Sequence, residues 1–241
     1  MKRFYVNKEL QVNSKVTIEG IEHNHISNVM RLKVNDEIIL VCGDNYDYLA
    51  RIIDISKGKT IVEILSKDVN NANPRSDVTV FQALVKSDNM SLIVQKLTEL
   101  GVKTFIPFES EFITSKDKYN KCQKLQEISN QSIKQCKRSI PMKIENTKSF
   151  KEMIEDLHNY DLVIFANECE HSFDLKSISL ENNKIALIIG SEGGFSKQEI
   201  EMLENNGVKS ISMGNRILRA ETASISLTAV VMYLIGEWHY E

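Results

Sequence analysis

The sequence predicts a chain in two parts: a small β-rich N-terminal part, then a larger α/β part with a mainly parallel sheet. Three observations lead there. The 241 residues exceed the ~150 residues of one typical domain. Short β-branched runs separated by turn signals fill the first 70 residues. After the polar run Asn70-Asn71-Ala72-Asn73-Pro74-Arg75, apolar runs of strand length alternate with segments of helical spacing.

In the first part, Lys15–Ile18, Glu37–Cys42, Asp47–Ile55 and Lys59–Ser66 read as strands of a small antiparallel barrel or sandwich. Gly43-Asp44-Asn45 and Lys57-Gly58-Lys59 turn the last three, and a short helix fits around Glu22–Arg31. The linker puts the boundary at 72/73, giving domains 1–72 and 73–241. Val78–Val85 is then a strand. Met90, Ile93, Val94, Leu97 and Leu100 fall on one helical face, which Gly101 ends. Thr104–Phe108 is a strand, 116–138 a long helix with a weak apolar stripe, Phe150–Leu157 a helix and Leu162–Ala166 a strand. Ile185–Ile189 reads as a buried strand. Ser196 and Glu199 have capping-box spacing and open a helix that stops at Asn205-Asn206-Gly207. Ser210–Met213 is a strand and Thr222–Trp238 a mostly apolar helix. Such β-α alternation calls for a parallel sheet covered on both faces.

Composition excludes several classes. Hydrophobic residues at 42% and charged residues at 26% are ordinary globular usage, not that of a disordered chain or a coiled coil. No run approaches the ~18 apolar residues of a membrane span, and no signal peptide is visible, so a cytoplasmic protein is expected. No cysteine pair has CxxC spacing. Cys169-Glu170-His171 has no second ligand cluster, so neither disulfides nor a metal are expected. The net charge of −3 argues against bulk polyanion binding, yet residues 116–143 carry eight Lys and Arg against two acidic residues. That segment is either a solvated helix face or a strip for a phosphate backbone.

Ligands of parallel sheets bind beyond the carboxyl ends of strands, here Asn167-Glu168, Gly190–Phe195 and Met213–Thr222. Gly190-Ser191-Glu192-Gly193-Gly194 follows an apolar strand and precedes a capped helix. It is either a tight turn or a loop that lets a ligand approach its backbone, and it matches neither a phosphate loop nor a dinucleotide fingerprint. In Met213–Ala223, Arg219 and Glu221 flank an alanine just before the apolar helix, and Ile217 and Leu218 are apolar within a polar loop. A loop pinned by two apolar anchors and a surface salt bridge fits. So does a pocket with apolar walls and a cation at its mouth.

These two segments, Gly190–Ser196 and Met213-Gly214 with Ile217-Leu218-Arg219-Ala220-Glu221-Thr222-Ala223, resemble the ribosomal RNA small-subunit methyltransferase E family of the SPOUT superfamily. The resemblance extends over nearly the whole chain. Arg3-Phe4-Tyr5-Val6, His25–Leu32, Gln82–Lys86, Gln95–Gly101 and Gln135-Cys136-Lys137-Arg138 with Pro141 match further family segments in order. Ser191 stands where the family pattern has proline, and Gln131 where it often has Glu.

The resemblance implies an N-terminal PUA-like β-barrel and a C-terminal SPOUT α/β domain with a trefoil knot at roughly 160–235. It implies transfer of a methyl group from S-adenosylmethionine to N3 of a uridine in 16S rRNA of the small ribosomal subunit. It also implies a homodimer, whose seam is expected to be the C-terminal helix. By motif match the cofactor would meet Glu168, Ile189, Gly190, Glu192, Gly193, Gly194, Met213, Gly214, Ile217, Leu218 and Thr222. Arg219 suits the stabilisation of negative charge on the uracil, being always charged and fork-shaped. Glu221 would anchor Arg219 or accept the proton. RNA contacts are expected from Arg3, Arg31, Lys86, Lys134, Lys137 and Arg138. Two other readings stay open: an RNA-binding relative without catalysis, and a methyltransferase acting on a tRNA ribose 2′-hydroxyl.

Overall fold

The computed structural model describes residues 1–113, 121–167 and 184–238. It divides into two compact units, residues 1–73 with 130–141, and residues 74–129 with 142–241.

The first unit is a five-stranded sheet around its own core. Its strands are β1 (Lys2–Tyr5), β2 (Lys15–Glu19), β3 (Glu37–Val41), β4 (Tyr46–Ser56) and β5 (Lys59–Val69) in the order β1-β3-β4-β5-β2. The expected all-antiparallel arrangement needs one correction, because β1 pairs parallel to β3. Phe4, Ile18, Ile38, Leu40, Ala50, Ile52, Val62 and Ile64 are buried together. Between β2 and β3, α1 spans only Gly20–Asn24 and continues as one π-helical stretch, His25–Val29. Residues 130–141 join this unit through side chains remote in sequence. Asn73 Nδ2 donates to Ser139 Oγ at 2.8 Å, and Asn70 Nδ2 donates to the Lys137 carbonyl at 2.8 Å.

The second unit is the α/β layer. Its strands are β6 (Asp77–Ala83), β7 (Thr104–Glu109), β8 (Lys143–Ile144), β9 (Lys148–Ser149), β10 (Leu162–Ala166), β11 (Lys184–Ile189) and β12 (Lys209–Ile211). They form one sheet, β12-β10-β11-β6-β7-β8, with β9 also on β7, and all its pairings are parallel. The central strands are apolar throughout because both faces are covered. Ile185, Leu187 and Ile189 join α2 (Ser87–Leu100) and α6 (Ala220–Leu234) on one face. Ala186 and Ile188 join α4 (Phe150–Asp156) and α5 (Lys197–Asn205) on the other. Helix α2 buries Met90, Ile93, Val94 and Leu97 and ends on Gly101 at φ 103°, a conformation costly for any other residue.

Several element boundaries differ from the sequence reading, two of them in segments with expected functions. Helix α3 spans Lys121–Cys136 within the basic segment, whose residues 116–120 lie outside the described residues. Helix α6 stops at Leu234 rather than Trp238; Gly236 follows with φ 81°, which turns the chain out of the helix. The expected knot depends on a path that includes 168–183, outside the described residues. Among the described residues, no helix is long and apolar enough to cross a membrane.

Candidate functional site

The site grows from the carboxyl ends of β11 and β12. β10 lies between these strands, so their loops emerge about 10 Å apart on one edge of the sheet, two strand spacings. Beyond β11 the chain makes a short turn. Gly194 N–H donates to the Ser191 carbonyl at 3.0 Å, and Gly194 has φ 69°. The Ser191 hydroxyl accepts from Gly193 N–H at 3.3 Å and donates to the Phe112 carbonyl at 3.1 Å. The rigidity that a proline would supply is thus provided by hydrogen bonds. Helix α5 follows with its capping box complete: Ser196 Oγ accepts from Glu199 N–H, and Glu199 Oε2 accepts from Ser196 N–H at 2.9 Å.

Beyond β12, Gly214 takes φ 93° and its N–H donates to Ser212 Oγ at 3.2 Å. Among the described residues, neither Gly194 nor Gly214 has a neighbour within 4 Å of where a Cβ would stand. Arg219 caps the N-terminus of α6 with its side chain 86% exposed. Its Nη1 lies 4.0 Å from Glu221 Oε1, whose side chain is nearly buried. Glu221 Oε2 and Ser224 Oγ, in the first two turns of α6, are buried without a hydrogen-bond partner among the described residues, as is Thr228 Oγ1 further along the helix. Unpartnered polar atoms clustered at one helix start fit a ligand that completes them.

The residues expected at the site divide as follows. Ile189 and Gly190 are buried at the strand end. Glu192 and Gly193 are exposed on the turn, and Glu192 Oε1 accepts from Lys86 N–H at 3.4 Å. Met213 and Leu218 are half-buried and Thr222 is exposed. Ile217 is 84% exposed, so no anchor is formed there. Glu168 lies outside the described residues.

The expected RNA contacts separate sharply. Arg31, Lys86 and Lys137 are exposed, and Arg31 and Lys137 both have positive φ. The other three are not free: two are ion-paired within the first unit and the third is buried. Arg3 makes a two-pronged ion pair with Asp47 at 2.8 and 2.5 Å. Lys134 Nζ sits 2.8 Å from Glu22 Oε1, and Arg138 is 2% exposed.

One element was not read from the sequence. Ser110–Ile113, just beyond β7, lies against the glycine turn: a Cβ on Gly193 would stand 2.7 Å from Phe112 Cβ. The rule that ligands sit at carboxyl strand ends also covers β7 and could have flagged it.

Comparison with known proteins decides the family. The model of an RNA methyltransferase domain matches residues 71–232, and that of an RNA methyltransferase PUA domain matches 19–65. A Rickettsia conorii protein named ribosomal RNA small subunit methyltransferase E is 34% identical over 237 residues, 96% of this chain and 95% of that protein. The chain belongs to the ribosomal RNA small subunit methyltransferase E family. The PUA match lies within the first unit, and the methyltransferase match covers most of the second together with residues 130–141 of the first. Among solved structures, the family's enzyme from Neisseria gonorrhoeae, bound to S-adenosyl methionine, superposes with a TM-score of 0.91 at 26% identity, covering 97% of this chain and 98% of that one. A putative methyltransferase from Legionella pneumophila, in complex with the same cofactor, gives 0.90 at 26% identity, covering 96% of each chain.

Proposed function

We propose that this chain transfers a methyl group from S-adenosylmethionine to N3 of one uridine in 16S rRNA, as a homodimer. The observation that carries the reading is the pairing, on one sheet edge, of an open glycine turn with a loop that ends in an exposed arginine. The residues fit the cofactor. Gly194 and Gly214 take positive φ, which favours glycine, and the side on which a Cβ would stand is open among the described residues. The first two turns of α6 hold two buried oxygens, of Glu221 and Ser224, without hydrogen-bond partners among the described residues. The two relatives solved with that cofactor support the same assignment.

When bound, S-adenosylmethionine supplies an electrophilic methyl group. The chain supplies the rest. The turn 190–194 and the loop 213–218 hold and orient the reactants, which replaces a bimolecular encounter with a fixed approach. As the N3 proton passes to solvent water or to the Glu221 carboxylate, negative charge spreads onto the uracil oxygens. Arg219, exposed at the positive end of α6, is placed to stabilise it. Glu221 holds the guanidinium from the side; at 4.0 Å the pair is loose and free to tighten on substrate. Arg31, Lys86 and Lys137 meet the phosphate backbone. The exposed Val230, Tyr233 and Trp238, with the last two rings edge to face at 6.1 Å, form the seam between subunits.

Mass mapping of 16S RNA incubated with the protein and cofactor tests the reading. One uridine should gain a single methyl group on its base. A gain on ribose, or in tRNA instead, contradicts it.

A further inference from the structure

The segment Ser110-Glu111-Phe112-Ile113 is held at two consecutive backbone positions by side chains from the glycine turn and the helix after it. Glu199 Oε1 accepts the Glu111 N–H at 2.9 Å, while Oε2 of the same carboxylate serves the helix cap. Ser191 Oγ donates to the Phe112 carbonyl at 3.1 Å. Both latching residues are buried, at 6% and 7% exposure. Gly193 closes the contact, since any Cβ there would strike Phe112. A buried carboxylate that accepts two backbone N–H groups is a strong fixture. Yet the Phe112 side chain gains little burial from being held so firmly: the residue stays 45% exposed. In sequence it stands directly before the basic stretch with Lys116, Lys118, Lys121 and Lys124.

A rigidly held, exposed aromatic that leads into a cationic segment has the chemistry of a stacking platform for a base. We infer that Phe112 is an RNA-contacting residue of this site. Its ring packs against a splayed nucleobase of the RNA, and Ser191 and Glu199 are the positioning residues that hold it. The inference deepens the function proposed above and rests on it.

The test uses the full-length protein and two readouts. Equilibrium binding of 16S RNA comes first, because it does not require turnover. Phe112→Ala should weaken it about tenfold or more, the loss of one base–aromatic stack. Phe112→Tyr should restore it, and cofactor affinity should stay within about twofold, as expected for a contact to RNA alone. In the methylation assay, Phe112→Ala should raise KM for RNA with little change in kcat. Amide hydrogen exchange then checks the latch. The Glu111 and Gly193 amides should be protected in the wild type, and Ser191→Ala should speed exchange at Gly193 while weakening RNA binding in the same direction. RNA binding unchanged in Phe112→Ala overturns the inference. So does a loss confined to cofactor affinity, which would give the ring to adenine. A change in oligomeric mass also overturns it, by giving the ring to a subunit contact. A wild type that binds RNA through Phe112 but transfers no methyl group overturns the proposed reaction and leaves this contact standing.

Discussion

Lys134 Nζ lies 2.8 Å from Glu22 Oε1 with both side chains nearly buried, at 10% and 13% exposure. A lysine in the most basic stretch of the chain is thus spent on an ion pair within the first unit. Removing one partner of a buried pair leaves an uncompensated charge, at a cost of about 3 kcal/mol or more. Lys134→Ala should therefore shift the urea midpoint strongly. The slope of RNA affinity against salt should stay unchanged. A variant of native stability with a reduced salt slope would return Lys134 to the RNA surface.

The exposed cations should behave in the opposite way. Each phosphate contact removed lowers the slope of log K against log salt by about 0.7 to 0.9. Arg31→Ala, Lys86→Ala and Lys137→Ala should each do so with normal melting curves. Arg138→Ala, at a position 2% exposed, should destabilise the fold instead. Salt slopes equal to that of the wild type in all three exposed variants would show that none of the three meets a phosphate.

Gly193→Val should weaken S-adenosylmethionine binding strongly in calorimetry. The new Cβ would stand 2.7 Å from Phe112 Cβ and 3.1 Å from the Phe112 carbonyl oxygen, so the turn or its neighbour must shift. Gly193→Ala already carries that Cβ and should show most of the effect. Wild-type affinity in both variants would place the cofactor elsewhere.

Stability should fall at alkaline pH. Burial first, and the Asp44 charge next, push the Cys42 thiol from 9.0 up to about 11. Burial and a hydrogen bond to Asp44 raise the Tyr48 phenol too, its OH donating to Oδ2 at 2.7 Å. Both groups hold protons in the fold that the unfolded chain has lost. Their stabilisation is complete below pH 9.0 and is lost as pH rises through about 11 for Cys42. Asp44→Asn should lower the Cys42 value and speed its alkylation near pH 9.0. Alkylation at an unchanged rate would remove the Asp44 charge from this account.

What was legible in the sequence was local. Ser196 and Glu199 sit three apart, and the capping box formed as their spacing requires. The helical face of Met90, Ile93, Val94 and Leu97 and the stop at Gly101 follow from one-dimensional periodicity. The strand–turn–helix at 185–199 carries its own signals. What was hidden depends on partners remote in sequence. Nothing near Lys2–Tyr5 announces a parallel pairing with β3. Nothing near Lys134 says that its charge is used within the first unit, and nothing near Arg138 says that it is buried. The second oxygen of Glu199 meets an amide 88 residues earlier, a relation that no local motif encodes. The π-helical His25–Val29 likewise follows helical spacing closely enough to read as an ordinary helix.

Reverse transcription across 16S RNA treated with this protein and S-adenosylmethionine tests the central claim most directly. A methyl group on uridine N3 occupies the pairing edge, so extension should stop at one uridine even at high nucleotide concentration. Arg219→Ala should reduce that stop by about 10²- to 10³-fold in rate while cofactor binding persists, since its charge acts on the transition state. Read-through at every uridine, with one linkage resistant to alkaline cleavage on its 3′ side, would mean a 2′-O-methyl ribose and contradict the account.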